Sequence, residues 1–182
     1  MGRVLQRMAS GIERLTAAVG AAVRWALLAM ALLGAANAVL RYASRWIGAG
    51  WSSNALVELQ WYLFGAVILL GAAHTLRHDA HVRVDVLYER LPRRARTWID
   101  LLGHLVLLLP LSAWMVWISW RPALEAWRRH EMSPDPGGLP RAPIWSVIPL
   151  GFALLGLQGI ACAIRAAQRL RSDDGDTEGT TP

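Results

Sequence analysis

Few titratable side chains fall within or beside the long apolar runs of this sequence: Arg24, Glu58, His74, Asp100 and His104. An ionisable group in such a setting is costly to desolvate, so each needs a partner and each is a candidate for a site. Glu58 lies one turn into an apolar run, after Ser53 and Asn54, either of which suits a helix cap. Its expected role is structural pairing, with Arg41 or Arg45 at the end of the preceding run or with a partner subunit. Two histidines on facing helices can ligate haem, which makes a small cytochrome-b-like redox protein using His74 and His104 the alternative reading. Their depths differ by about 6 Å at 1.5 Å per residue, which favours polar contacts between helices instead. Thr97 and Asp100 have capping-box spacing, and Arg24 is placed to snorkel to headgroups. The sequence has no Gly-rich phosphate loop, nucleophile motif or metal-spaced cluster, so no enzymatic activity, metal or cofactor is expected. Its single cysteine, Cys162, excludes an intrachain disulfide.

The elements that position these residues are apolar and long. Of the 182 residues, 54% are Ala, Val, Ile, Leu, Met, Phe, Trp, Tyr or Cys, gathered mainly into four runs: 19–40, 55–76, 98–120 and 144–164. Each run is long enough to cross a hydrocarbon core of about 30 Å as a helix. The runs are continuous and rich in Ala and Leu, without the alternation of an outer-membrane barrel. The expected fold is an all-α integral membrane protein, a single four-helix domain over 1–171 followed by a disordered acidic tail at 172–182. Ala36-Asn37-Ala38 resembles a cleavage site, but the preceding apolar run is too long for a signal core, and the segment is read as a retained span.

Charge sets the topology. All 19 basic residues are Arg, and 13 of them lie before or at the start of the first run, between the second and third, or after the fourth. The positive-inside rule then places both termini in the cytoplasm. This distribution excludes a phosphate-backbone groove, so no nucleic-acid partner is expected. Six of the ten Trp (Trp46, Trp51, Trp98, Trp120, Trp127 and Trp145) fall near run ends, as in an interfacial belt.

Two connections stand out. Val84, Leu87, Tyr88 and Leu91 share one helical face, predicting a short amphipathic helix in the interface between spans two and three, against membrane lipids. After span three, Leu124 and Trp127 oppose Arg128 and Arg129, predicting another. Ser133 to Pro140 follows, and its Pro134, Asp135, Pro136, Gly137 and Gly138 impose a defined turn on the outer face that can present a fixed surface to a partner. Pro110 and Pro149 each remove a helical hydrogen bond and predict kinks. Gly34 and Ala38 in the first run, and Gly159, Ala163 and Ala167 around the end of the fourth, repeat at the spacing that lets helices approach closely.

Glu58-Leu59-Gln60-Trp61-Tyr62-Leu63-Phe64, the helical turn at Gly71, and Asp79-Ala80-His81-Val82-Arg83-Val84-Asp85-Val86 followed by Leu91-Pro92-Arg93-Arg94 resemble the small permease subunit of tripartite ATP-independent periplasmic (TRAP) transporters, the DctQ-like family. The resemblance runs from the first span to the end of the fourth. It implies a bacterial inner-membrane subunit without a substrate site of its own. Its partners would be a large permease subunit that carries the substrate and sodium sites, and a periplasmic substrate-binding protein that delivers an organic acid. Glu58, Gln60, Trp61, Asp79, His81, Arg83 and Asp85 occupy motif positions, to which the resemblance assigns structural or subunit-interface roles. Because the acidic tail ends the sequence, the large subunit is expected to be a separate chain.

Overall fold

A computed structural model of the chain describes residues 2–47, 54–78 and 91–178. The helices are α1 (Gly2–Ile47), α2 (Asn54–Arg77), α3 (Arg93–Leu102), α4 (Leu109–Arg128) and α5 (Ala142–Glu178), with α3 and α4 joined by a π-helical stretch, Gly103–Leu108. Four helical stretches are long and apolar enough to cross a membrane: Val4–Ser44, Asn54–Arg77, Arg93–Arg128 and Ala142–Arg171. The all-α membrane architecture is therefore as expected, and no strand is present among the described residues. Several boundaries are not as expected.

Pro110 is accommodated without ending the third span. The backbone before it widens into the π stretch, in which Leu109 N–H donates to His104 O, five residues back. A π-bulge absorbs the missing donor of a proline by shifting the register of the ladder. Pro122 lies inside α4, which runs on to Arg128, so the segment expected to form a separate interfacial helix after span three is the continuation of that span. The interfacial helix expected between spans two and three falls largely outside the described residues. Thr97 and Asp100 form no capping box, because the helix already starts at Arg93, and the Thr97 hydroxyl donates back to Arg93 O at 3.0 Å. The last helix continues to Glu178, seven residues into the tail expected to be disordered. Extending an existing helix needs no new nucleus, which is how a polar segment with nothing to bury adopts it.

The pairings define the bundle. Going up α1 and down α2, Gly20 meets His74, Gly71 meets Val23 and Gly34 meets Gln60, an antiparallel pair in constant register. On α2 and α5, Gly65 meets Ile144 and Gly151 meets Leu69, a parallel pair. Between the third span and α5, Ser112 of α4 lies against Gly156 and Leu108 of the π-helical stretch against Gly159, antiparallel again. α5 is the hub: 44% of its most apolar stretch is buried, against 6% in each of the other three membrane helices. Its inward face is narrow, with Gly151, Gly156, Gly159, Ala161, Ala163 and Ala166 all buried. In lipid the tails are as apolar as the helices, so association rests on close van der Waals packing and interhelical hydrogen bonds. Of the small residues singled out above, Gly159 and Ala163 are on this face, whereas Ala38 and Ala167 are exposed.

Gly151 tests this packing against a neighbour's backbone, because a Cβ there would lie 2.8 Å from the Leu69 Cβ and 3.0 Å from the Leu69 carbonyl oxygen. Backbone cannot step aside as a side chain can, so Gly151→Ala should destabilise the bundle by about 1–3 kcal/mol. Gly11 has nothing within 4 Å of its added Cβ, and Gly11→Ala should be neutral or stabilising by up to about 1 kcal/mol. Thermal unfolding of the two variants in one detergent checks the contrast.

Candidate functional site at the hairpin end of the bundle

α4 ends in a Schellman motif. His130 takes a left-handed backbone conformation with φ 47°, its N–H donates to Trp127 O at 3.3 Å, and Glu131 N–H donates to Ala126 O at 3.0 Å. The chain is thereby turned back over the bundle and enters a miniature hairpin. Arg141 N–H donates to Glu131 O at 2.8 Å, and Ser133 N–H donates to Leu139 O at 3.1 Å. The tip closes with Gly138 N–H donating to Asp135 O at 3.0 Å, and Gly137 supplies the φ of 72° that a type II turn needs after Pro136. A 3.4 Å ion pair between Arg141 and Glu131 clasps its base.

Glu58 is what the hairpin closes onto. The residue is 3% exposed, and its carboxylate accepts a hydrogen bond from the Ser133 hydroxyl and another, at 2.5 Å, from Leu139 N–H. One turn earlier on α2, the Asn54 side-chain amide donates to Pro136 O at 3.0 Å. Two residues spaced i, i+4 on one helical face therefore hold both the tip and the base strands of the hairpin. Where pairing with Arg41 or Arg45 was expected, the Glu58 carboxylate is engaged by the hairpin; Arg41 is exposed, and the Arg45 side chain lies outside the described residues. The reason is geometric, since α2 packs parallel to α5 and brings Glu58 under the loop that precedes α5.

The motif segment of α2 splits between two faces. Glu58 and Tyr62 are buried; the Tyr62 hydroxyl is enclosed without a hydrogen-bond partner among the described residues. Gln60 donates to Leu33 O at 3.5 Å opposite Gly34, pinning α2 to α1. Trp61 packs edge-on to Tyr62 with centroids 4.4 Å apart but is 45% exposed, in a stripe with Val57, Phe64 and Ile68. Pro134, Asp135, Pro136 and Gly137 are exposed at the hairpin tip, and Gly138 is half-buried beside Ser133 and Glu58. Asp79, His81, Arg83 and Asp85 lie outside the described residues.

A second polar cluster, at the opposite end of the bundle, was not anticipated. Thr16 and Gln158 are fully buried and joined at 2.9 Å, and the Glu13 carboxylate pairs with Arg165. Ala9, Glu13, Thr16 and Gly20 form the buried stripe that seats the first half of α1 on its neighbours. The stripe is small and polar rather than apolar, so hydropathy does not reveal it. Its i, i+4, i+7, i+11 spacing, and the lone Gln158 in the last apolar run, are the available signals. The two histidines serve separate neighbours. His74 lies against the α1 backbone at Gly20, and His104 directs Nδ1 to the Asp100 carbonyl of its own helix. No described contact brings both rings onto one gap.

Four apolar helices, with buried polar groups that tie helix to helix and helix to loop, define a multi-pass membrane protein. The chain belongs to the DctQ component family of tripartite ATP-independent periplasmic transporters, whose family model matches residues 30–169. It is thus a small membrane subunit of a TRAP transporter, one that partners with other subunits of that system. No curated protein and no solved structure gave a significant match.

The latch predicts a graded series. Glu58→Ala strands the Leu139 N–H and should loosen the hairpin by about 1–3 kcal/mol, whereas Ser133→Ala removes one donor and should cost less. Hydrogen exchange across 131–141 should rise most in Glu58→Ala, less in Glu58→Gln, which keeps a carbonyl acceptor, and least in Ser133→Ala.

Proposed function

We propose that the chain is the non-catalytic scaffold of a sodium-coupled uptake system for organic acids, in the bacterial inner membrane with both termini cytoplasmic. In this reading it braces a large permease subunit, a separate chain that carries the substrate and sodium sites. Its hairpin faces the periplasm and helps dock the substrate-binding protein.

The observation that carries the reading is the division of the Glu58–Phe64 segment. Its inward side chains lock the hairpin, while Val57, Trp61, Phe64 and Ile68 form an exposed apolar stripe 45–53% accessible. One short segment can then couple a lateral contact within the membrane to a rigid surface at its edge. Large aromatic residues on such a stripe suit a helix partner, since they offer contact area with few rotamers to immobilise. The hairpin is already ordered by the latch and by its prolines, so docking on it loses little further entropy. The Arg distribution supports the orientation, with Arg41, Arg45, Arg121, Arg128, Arg129 and Arg141 making up the sparser side. His81, Arg83 and Asp85, on the opposite side, are proposed as cytoplasmic contacts to the large subunit.

Mild detergent extraction of the tagged chain should recover a much larger polytopic permease, and Trp61→Ala with Phe64→Ala should reduce that recovery several-fold. Asn54→Ala with Glu58→Ala should leave the recovery intact yet lower sodium-driven uptake in vesicles supplied with the binding protein. Uptake by vesicles containing this chain alone would refute the scaffold reading.

A further inference from the structure

At the end of the bundle opposite the hairpin, a cavity of about 120 Å³ is enclosed by residues from every membrane-spanning helix. Its cationic lining is Arg77 at the end of α2 and Arg165 and Arg169 on α5, against the carboxylates of Glu13 and Asp100. Gln158, Cys162, Arg165 and Arg169 follow one another along a single face of α5, at i, i+4, i+7 and i+11. The cavity is therefore a cleft running from Arg169 near the helix ends toward Gln158 in the apolar layer.

Two observations mark it as more than a solvated seam. Glu13 is buried and its carboxylate is turned onto Arg165, which fixes that guanidinium at the wall. Gln158 is 1% exposed; its carbonyl accepts from Thr16, and its amide nitrogen donates to Cys162 Sγ at 3.6 Å. A thiol is a weak acceptor, so a strong amide donor deep in the cleft is held by a partner that an oxyanion would displace. Guanidinium groups match tetrahedral oxyanions through paired, charge-assisted hydrogen bonds.

We propose that this cleft is a binding site for a phosphate group, with Arg77, Arg165 and Arg169 as its cationic wall and the Gln158 amide as its deepest donor. The phosphate can come from the headgroup of an anionic phospholipid in the adjoining leaflet or from free phosphate. A ligand here would tie α1, α2 and α5 together at the end of the bundle away from the Ser133–Leu139 hairpin.

The test is thermal unfolding of the purified full chain, followed through its ten tryptophans. The probes are short-chain phosphatidylglycerol, short-chain phosphatidylcholine and inorganic phosphate, at matched ionic strength. Phosphatidylglycerol should stabilise the chain at concentrations about tenfold lower than phosphatidylcholine, the scale of one charge-assisted hydrogen bond. Arg77→Gln, Arg169→Gln and Gln158→Met should each weaken that response, whereas Arg128→Gln at the hairpin end should not. Stabilisation by inorganic phosphate that phosphatidylglycerol does not exceed would support the site and identify free phosphate as its source. Stabilisation by phosphatidylglycerol alone would support the lipid headgroup. An unchanged response in Gln158→Met together with both Arg variants would overturn the proposal. So would an equal loss in Arg128→Gln, or, in the wild-type chain, no phosphate response and no preference between the two lipids.

Discussion

Close approach of neighbouring helices to the glycine backbone of α5 is the contact on which the rest of the bundle depends. The Leu69 backbone lies against Gly151, and the Ser112 and Leu108 side chains lie directly on Gly156 and Gly159, so that α5 presents no side chain of its own at these contacts. Helices gain nothing in lipid by hiding apolar surface from one another, and such packing must come from shape. A narrow α5 supplies the shape, and the other three membrane helices arrange themselves around it with their outer faces open.

From that arrangement follow the two polar clusters. Because α2 runs parallel to α5, the first turn of α2 arrives beneath the loop that leads into α5. Glu58 and Asn54 then find hydrogen-bond partners in the hairpin. Because α1 runs antiparallel to α5, Glu13 and Thr16 arrive beside Arg165 and Gln158 at the other end. Each cluster satisfies groups that would otherwise be stranded in apolar surroundings, so each also fixes the register of the helices it joins. The protein's polar investment lies at its two ends, and the wall between them is apolar and studded with exposed aromatics such as Trp25, Trp61 and Trp117.

This division is what a subunit within a larger transporter requires. The lateral wall is left for lipid and for other subunits, while the ends are held in defined shapes. The hairpin shows how a surface loop is made rigid without a core: a Schellman turn feeds it, Pro136 and Gly137 set its tip, and one buried carboxylate satisfies its inward donors.

Four helices, the membrane setting and the family were legible in the residues alone, because span length and hydropathy are one-dimensional properties and the Glu58–Phe64 motif is local. The turn at Pro136-Gly137 was legible for the same reason, since its backbone preferences belong to those residues themselves. The partner of Glu58 was not, because nearby arginines in the sequence say nothing about which loop a parallel helix pair brings overhead. Nor was the stripe Ala9, Glu13, Thr16 and Gly20, whose small and polar residues carry no hydropathy signal until α5 supplies Gln158 and Arg165. What the residues determined by themselves is how many times the chain crosses and where it turns. Which polar groups meet was decided only by the tertiary structure, through the register in which the helices pack against α5.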